Sequence, residues 1–120
     1  MKTILIIDDE YLIADILSFA LEDEGFAAIT AGSAVKALEI LERERPDLII
    51  TDFMMPGMTG IEFAESVKRK EPFQAIPIIL MSGAQAHLGL ERADLFARVV
   101  AKPFDIDSII STVKSLVPLD

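Results

Sequence analysis

The sequence predicts an α/β domain: a doubly wound, five-stranded parallel sheet with helices on both faces. Three observations carry this expectation. The runs Ile4-Leu5-Ile6-Ile7, Leu48-Ile49-Ile50-Thr51 and Ile78-Ile79-Leu80-Met81 are short, bulky and partly β-branched, as strands buried on both faces are. Strand-like and helix-like patterns alternate five times, with short connections, as successive βα units require. No repeat or linker breaks the 120 residues, so one domain over 1–120 is expected.

The first strand is expected over Thr3 to Asp8. A helix follows from about Glu10, with Leu12, Ile13, Ile16, Leu17, Ala20 and Leu21 recurring on one stripe at helical spacing. Gly25 is a natural stop for it, and Phe26 to Ala31 reads as the second strand. Ser33 can cap a second helix that turns Ala34, Ala37, Leu38 and Leu41 inward, and Pro46 closes that region. The third strand is Leu48 to Asp52. Pro56-Gly57 and Gly60 mark the loop after it, and a third helix runs from about Ile61 to Lys70. Ile78 to Met81 is the fourth strand. A helix over roughly Gln85 to Leu95 is weakened by Gly89. Arg98 to Ala101 is the fifth strand. Asp105 or Asp107 starts a last helix with Ile106, Ile109, Ile110, Val113 and Val117 inward, ended by Pro118.

Composition removes several classes of function. With no cysteine, disulfides and thiolate metal sites are excluded. A formal net charge of −9 makes direct nucleic-acid binding unfavourable and suits a cation or a partner with a basic face. The opening apolar run stops at Asp8, too short for a signal sequence, and no other run approaches membrane-spanning length. A cytoplasmic protein without membrane contact is expected.

The chemistry gathers at the carboxyl ends of the strands, where open α/β sheets bind ligands. The first strand delivers Asp8 and Asp9, the third Asp52, the fourth Ser82 and the fifth Lys102. Converging carboxylates repel, and such a cluster persists when a cation shares it or a carboxylate reacts. Hard carboxylate oxygens suit Mg²⁺, which keeps several waters and favours phosphate oxygens. A carboxylate can act as nucleophile and become an acyl phosphate. A hydroxyl can bond one phosphoryl oxygen and a lysine can neutralise another. The set is therefore complete for holding a phosphoryl group.

Four segments match one family in order and with nearly its spacing: Ile6-Ile7-Asp8-Asp9-Glu10, Asp52-Phe53-Met54-Met55-Pro56 with Gly60, Met81-Ser82-Gly83-Ala84, and Lys102-Pro103-Phe104. On these the chain resembles the receiver domain of two-component response regulators over essentially its whole length. The resemblance implies a flavodoxin-like strand order of 2-1-3-4-5. It implies Asp52 as phosphoacceptor, and Asp8, Asp9, Asp52 and the Met54 carbonyl as Mg²⁺ ligands. Ser82 would bond the phosphoryl group and Lys102 would pair with it. The Lys102–Pro103 bond would be cis, as is usual in the family. The phosphoryl donor would be a sensor histidine kinase or a histidine phosphotransfer protein, and the output a conformational change read by a downstream protein. The chain would catalyse only its own phosphorylation and slow autodephosphorylation. Because the sequence stops after the fifth helix, a stand-alone receiver is expected.

The match departs from the family at two places. The aromatic residue usual three positions before the lysine is Val99 here. The segment between Ser82 and Lys102 is also a couple of residues short and lacks the common Gly-Ala before the fifth strand. A receiver that binds without cycling is the first alternative, and the complete set Asp8, Asp9, Asp52, Ser82 and Lys102 argues against it. A Mg²⁺-dependent phosphohydrolase would carry an acid two residues after its nucleophile, where this chain has Met54. A flavin module would need a phosphate-cradling loop where Asp8-Asp9-Glu10 stands. His87, the single histidine, reads as a solvated helix position rather than a phosphodonor.

Overall fold

The apolar runs form the five strands β1 (Thr3–Ile7), β2 (Ala27–Ala31), β3 (Leu48–Asp52), β4 (Ile78–Ser82) and β5 (Arg98–Ala101). The computed structural model describes residues 1–83 and 86–118. All strand pairs are parallel, and the order β2-β1-β3-β4-β5 is the expected flavodoxin-like one. Between the strands lie helices α1 (Tyr11–Asp23), α2 (Ala34–Arg43), α3 (Gly60–Lys68) and α4 (Ala86–Leu90), and α5 (Ile106–Leu116) follows β5. A single 3-10 turn at Glu71–Phe73 leads from α3 to β4.

Strand alternation splits the core in two. Leu5, Ile7, Ile49 and Leu80 face one side, where Ala37, Leu41, Phe63 and Val67 cover them. Ile4, Ile6, Ile50, Ile79 and Met81 face the other, against Leu17 and Leu21 of α1 and Ile109 and Val113 of α5. Both faces of β1, β3 and β4 are thus apolar, which is why these strands read as unbroken hydrophobic runs.

The helix ends follow their chemistry. Gly25, at φ 100°, takes the left-handed conformation that closes α1, and the Gly25 and Phe26 amides donate to the Glu22 and Leu21 carbonyls. Ser33 Oγ caps α2 by accepting from the Lys36 amide at 3.1 Å. Thr59 and Glu62 close a reciprocal capping box on α3. Asp105 caps α5.

Three helices differ from the sequence reading. The stripe assigned to α1 was too wide: Ala14, Leu17 and Leu21 are buried, but Leu12 is 63% exposed and Ile16 54%. A helix packed on a flat sheet buries one narrow stripe. Tyr11, Leu12, Ile16 and Phe19 fall outside it and form an apolar surface facing solvent. On α2, Ile40 is buried and Leu38 is the half-buried one. The fourth helix is five residues long, and residues 91–95 are turns rather than its continuation. Gln85, its expected first residue, lies outside the described residues, as does Ala84.

Candidate functional site

Parallel strands that end together bring their last residues to one edge. β3 pairs with β4 so that Asp52 stands opposite Met81, and β4 with β5 so that Ser82 stands opposite Ala101. The Phe53 amide donates to the Met81 carbonyl and the Lys102 amide to the Ser82 carbonyl. These backbone bonds fix Asp52, Ser82 and Lys102 as neighbours. Asp8 and Asp9 follow β1, which lies on the other side of β3.

Carboxylate oxygens of Asp8, Asp9 and Asp52 lie within 4.8 Å of one another. Asp8 and Asp52 are buried, while Asp9 is exposed. The Lys102 ammonium stands 3.0 Å from Asp52 Oδ1 and 3.8 Å from Asp8 Oδ2, bridging the two buried acids. The Glu10 amide donates to Asp8 Oδ1 at 2.9 Å, and the Phe53 amide to Asp52 Oδ1 at 3.0 Å. Among the described residues, two side-chain atoms are buried with no hydrogen-bond partner: Asp8 Oδ2 and Ser82 Oγ. Buried polar atoms are rarely left so; Asp8 Oδ2 belongs to the acidic cluster, and Ser82 stands at the adjoining end of β4.

The electrostatics follow from burial and like charge. Burial raises the Asp8 carboxyl to about 6, with the Asp52 charge adding to the rise and the Glu10 amide and Lys102 opposing it. Burial pulls the Lys102 ammonium down, but its bond to Asp52 and the charges of Asp52, Asp8 and Glu10 outweigh this and hold it above its ordinary value. Among the described residues the Lys102 ammonium faces the clustered carboxylates of Asp8, Asp9 and Asp52, with Glu10 nearby, so the pocket is short of positive charge. An oxygen-binding divalent cation fits this donor set and would give Asp8 Oδ2 the partner it lacks.

The sequence reading placed Asp8, Asp9, Asp52, Ser82 and Lys102 at this edge; side-chain groups of Asp8, Asp9, Asp52 and Lys102 meet there, and Ser82 stands at the adjoining end of β4. Met54 follows in the loop after β3 and is 58% exposed. The Lys102–Pro103 peptide is cis. His87 is exposed on α4. Thr51 was overlooked. It is fully buried beneath Asp52, and its hydroxyl donates to the Asp52 carbonyl at 3.0 Å and lies 3.8 Å from Met55 Sδ. A hydroxyl in an otherwise aliphatic run, one residue before the acid, was the available signal.

Compared with known proteins, the chain matches the response regulator receiver domain family over residues 4–114. It is 38% identical over 120 residues to sporulation initiation phosphotransferase F of Bacillus subtilis, covering 98% of this chain and 95% of that protein. It is 36% identical over 120 residues to the phosphate regulon transcriptional regulatory protein PhoB of Pseudomonas aeruginosa, covering 96% of this chain but 51% of the regulator. The chain thus spans about half of that relative's length. Among solved structures, the response regulator TrrA of Thermotoga maritima, in complex with Mg²⁺-BeF, superposes with a TM-score of 0.86 at 33% identity. That match covers 98% of this chain and 100% of the other.

Proposed function

The chain belongs to the response regulator receiver domain family, and on that premise we propose that Asp52 is its phosphoacceptor in a Mg²⁺-dependent signalling switch. The observation that carries this reading is the buried Asp52 carboxylate, flanked by Asp8 and Lys102, with the unpartnered Ser82 hydroxyl at the neighbouring strand end.

Each residue has a chemical task. An Asp52 oxygen attacks phosphorus in line, the bond from phosphorus to the donor's imidazole nitrogen breaks, and an acyl phosphate forms. Lys102 moves its charge from the carboxylate to a phosphoryl oxygen, and Ser82 donates its hydroxyl to another. Asp8 and Asp9 would hold Mg²⁺ with Asp52 and the Met54 carbonyl. Bound there, Mg²⁺ offsets the negative charge that builds on the phosphoryl oxygens. The chain would thus promote its own modification without being a conventional enzyme. It would act within one domain over 1–120 and in the cytoplasm.

Acetyl phosphate with Mg²⁺ tests the reading. Intact mass should rise by one phosphoryl group; an unchanged mass overturns the assignment.

The donor would be a histidine kinase or a histidine phosphotransfer protein. Such a protein must approach the pocket closely, and the exposed face of α1 lies beside it. Ile16→Asp should slow transfer from a protein donor roughly tenfold, the worth of one interface anchor. Labelling by acetyl phosphate should be unchanged, since that donor needs no docking surface. Equal slowing with both donors would remove α1 from the docking surface.

Loss of phosphate should be slow. Met54 stands two residues after Asp52, and a thioether cannot orient an attacking water well. Met54→Asn should shorten the phosphorylated lifetime by roughly tenfold. A lifetime equal to that of the parent would contradict this.

A further inference from the structure

Leu80 lies in the middle of β4, wholly buried, paired with Thr51 of β3 and Val99 of β5. Each of its two terminal methyls meets a glycine. A Cβ on Gly60, the first residue of α3, would lie 2.9 Å from Leu80 Cδ1 and 2.6 Å from the Asp52 carbonyl oxygen. A Cβ on Gly89, in α4, would lie 2.5 Å from Leu80 Cδ2 and 3.1 Å from Val99 Cγ2. Two helices therefore rest on one side chain, and both can do so only because neither carries a Cβ there.

This contact has little slack. Leu80 cannot swing away from Gly89, because its other methyl already lies against the start of α3. Val99 cannot yield either, since a β-branched side chain is stiff at χ1. Close-packed contacts of this kind are kept or lost as a unit rather than stretched. The seat is also tied to the acidic pocket from two directions. The Gly60 amide donates to the Phe53 carbonyl at 2.8 Å, so the start of α3 follows the backbone next to Asp52. Ser82 is two residues beyond Leu80, on the same face of the same strand.

We propose that Leu80, clasped between Gly60 and Gly89, couples the acidic pocket to α4, and that a phosphoryl group on Asp52 releases α4 from this seat. The inference rests on Asp52 being the phosphoacceptor. It assigns the transmission to three aliphatic contacts, one of them at Val99, where the resembled family usually has an aromatic residue. A displaced Ser82 or a shifted Phe53 backbone moves Leu80, and α4, which has no room to follow, comes off the strands.

Gly89→Ala tests it, with beryllofluoride and Mg²⁺ as the phosphoryl probe. An added Cβ disfavours the seated state alone. By linkage, the variant should bind beryllofluoride about fivefold or more tightly than the parent. Amide hydrogen exchange in α4 and β5 should be faster in the unliganded variant, and beryllofluoride should speed the same amides in the parent. Helix propensity predicts the opposite, because alanine favours a helix over glycine. Val99→Ala, which removes a wall of the seat instead of adding bulk, should also tighten binding and serves if Gly89→Ala does not fold. A folded variant with unchanged or weakened beryllofluoride affinity overturns the coupling. So does a parent that binds beryllofluoride without faster exchange in α4, and that result leaves Asp52 standing as phosphoacceptor. A parent that binds no beryllofluoride overturns both.

Discussion

Asp52→Asn will leave the chain unable to gain a phosphoryl group from acetyl phosphate, while its fold and melting behaviour change little. An amide oxygen is a far poorer nucleophile than a carboxylate oxygen, and it forms no stable phosphoryl ester. The substitution is nearly isosteric. The amide oxygen can still accept from the Phe53 amide, which lies 3.0 Å from Asp52 Oδ1. The lost interaction is the ion pair with Lys102 at 3.0 Å. That loss is offset in part by relief of repulsion with Asp8, whose carboxyl the Asp52 charge helps to raise. Intact mass after incubation with acetyl phosphate and Mg²⁺ checks the outcome. A variant labelled as fully as the parent would move the acceptor to another residue.

Asp8→Asn should stabilise the metal-free protein at pH 7 and weaken its hold on Mg²⁺. The Asp8 carboxyl is buried and raised from 3.8 to about 6. The folded chain therefore binds a proton there more tightly than the unfolded chain. Stability consequently falls as pH rises from about 4 to 6, and the penalty is fully present above that window. One pKa unit is worth about 1.4 kcal/mol. The gain in the variant is about 2 kcal/mol, part of the full effect, because the new amide also loses solvent. Thermal melts in a chelating buffer at pH 5 and pH 7 check this. The parent should melt lower at pH 7 than at pH 5, the variant should melt higher than the parent at pH 7, and the difference should shrink at pH 5. Mg²⁺ should stabilise the parent more than the variant. A variant that melts below the parent at pH 7 without metal would show that the ionised Asp8 is stabilising.

The strand ends were legible in the sequence because parallel strands buried on both faces leave an unbroken apolar run, and an acid after such a run stands out. Asp8 and Asp52 were found that way. Ser82 and Lys102 needed the whole pattern, since neither residue type is unusual before glycine or proline. The inward face of α1 was legible only in part: Leu17 and Leu21 lie inward as expected, whereas Leu12 and Ile16 of the same expected stripe are exposed. Apolar residues surround more than half of that helix, so periodicity alone cannot decide whether Leu12 and Ile16 or Ala14 joins Leu17 and Leu21 against the sheet. The capping box at Thr59 and Glu62 was present in the sequence as a Thr-x-x-Glu pattern and went unread. The approach of Lys102 to Asp8 and the clasp on Leu80 join residues far apart in the chain. They depend on how closely helices settle on the sheet, which no local pattern encodes.

Phosphorylation at Asp52 is tested most directly by locating the phosphoryl group. Borohydride reduces an aspartyl acyl phosphate to the corresponding alcohol, which marks the modified residue permanently. After acetyl phosphate and Mg²⁺ treatment, reduction and peptide sequencing by tandem mass spectrometry, the mark should fall at position 52 and nowhere else. It should be lost when Mg²⁺ is chelated. A mark on Asp8, Asp9 or any other acid, with Asp52 unmodified, would contradict the account.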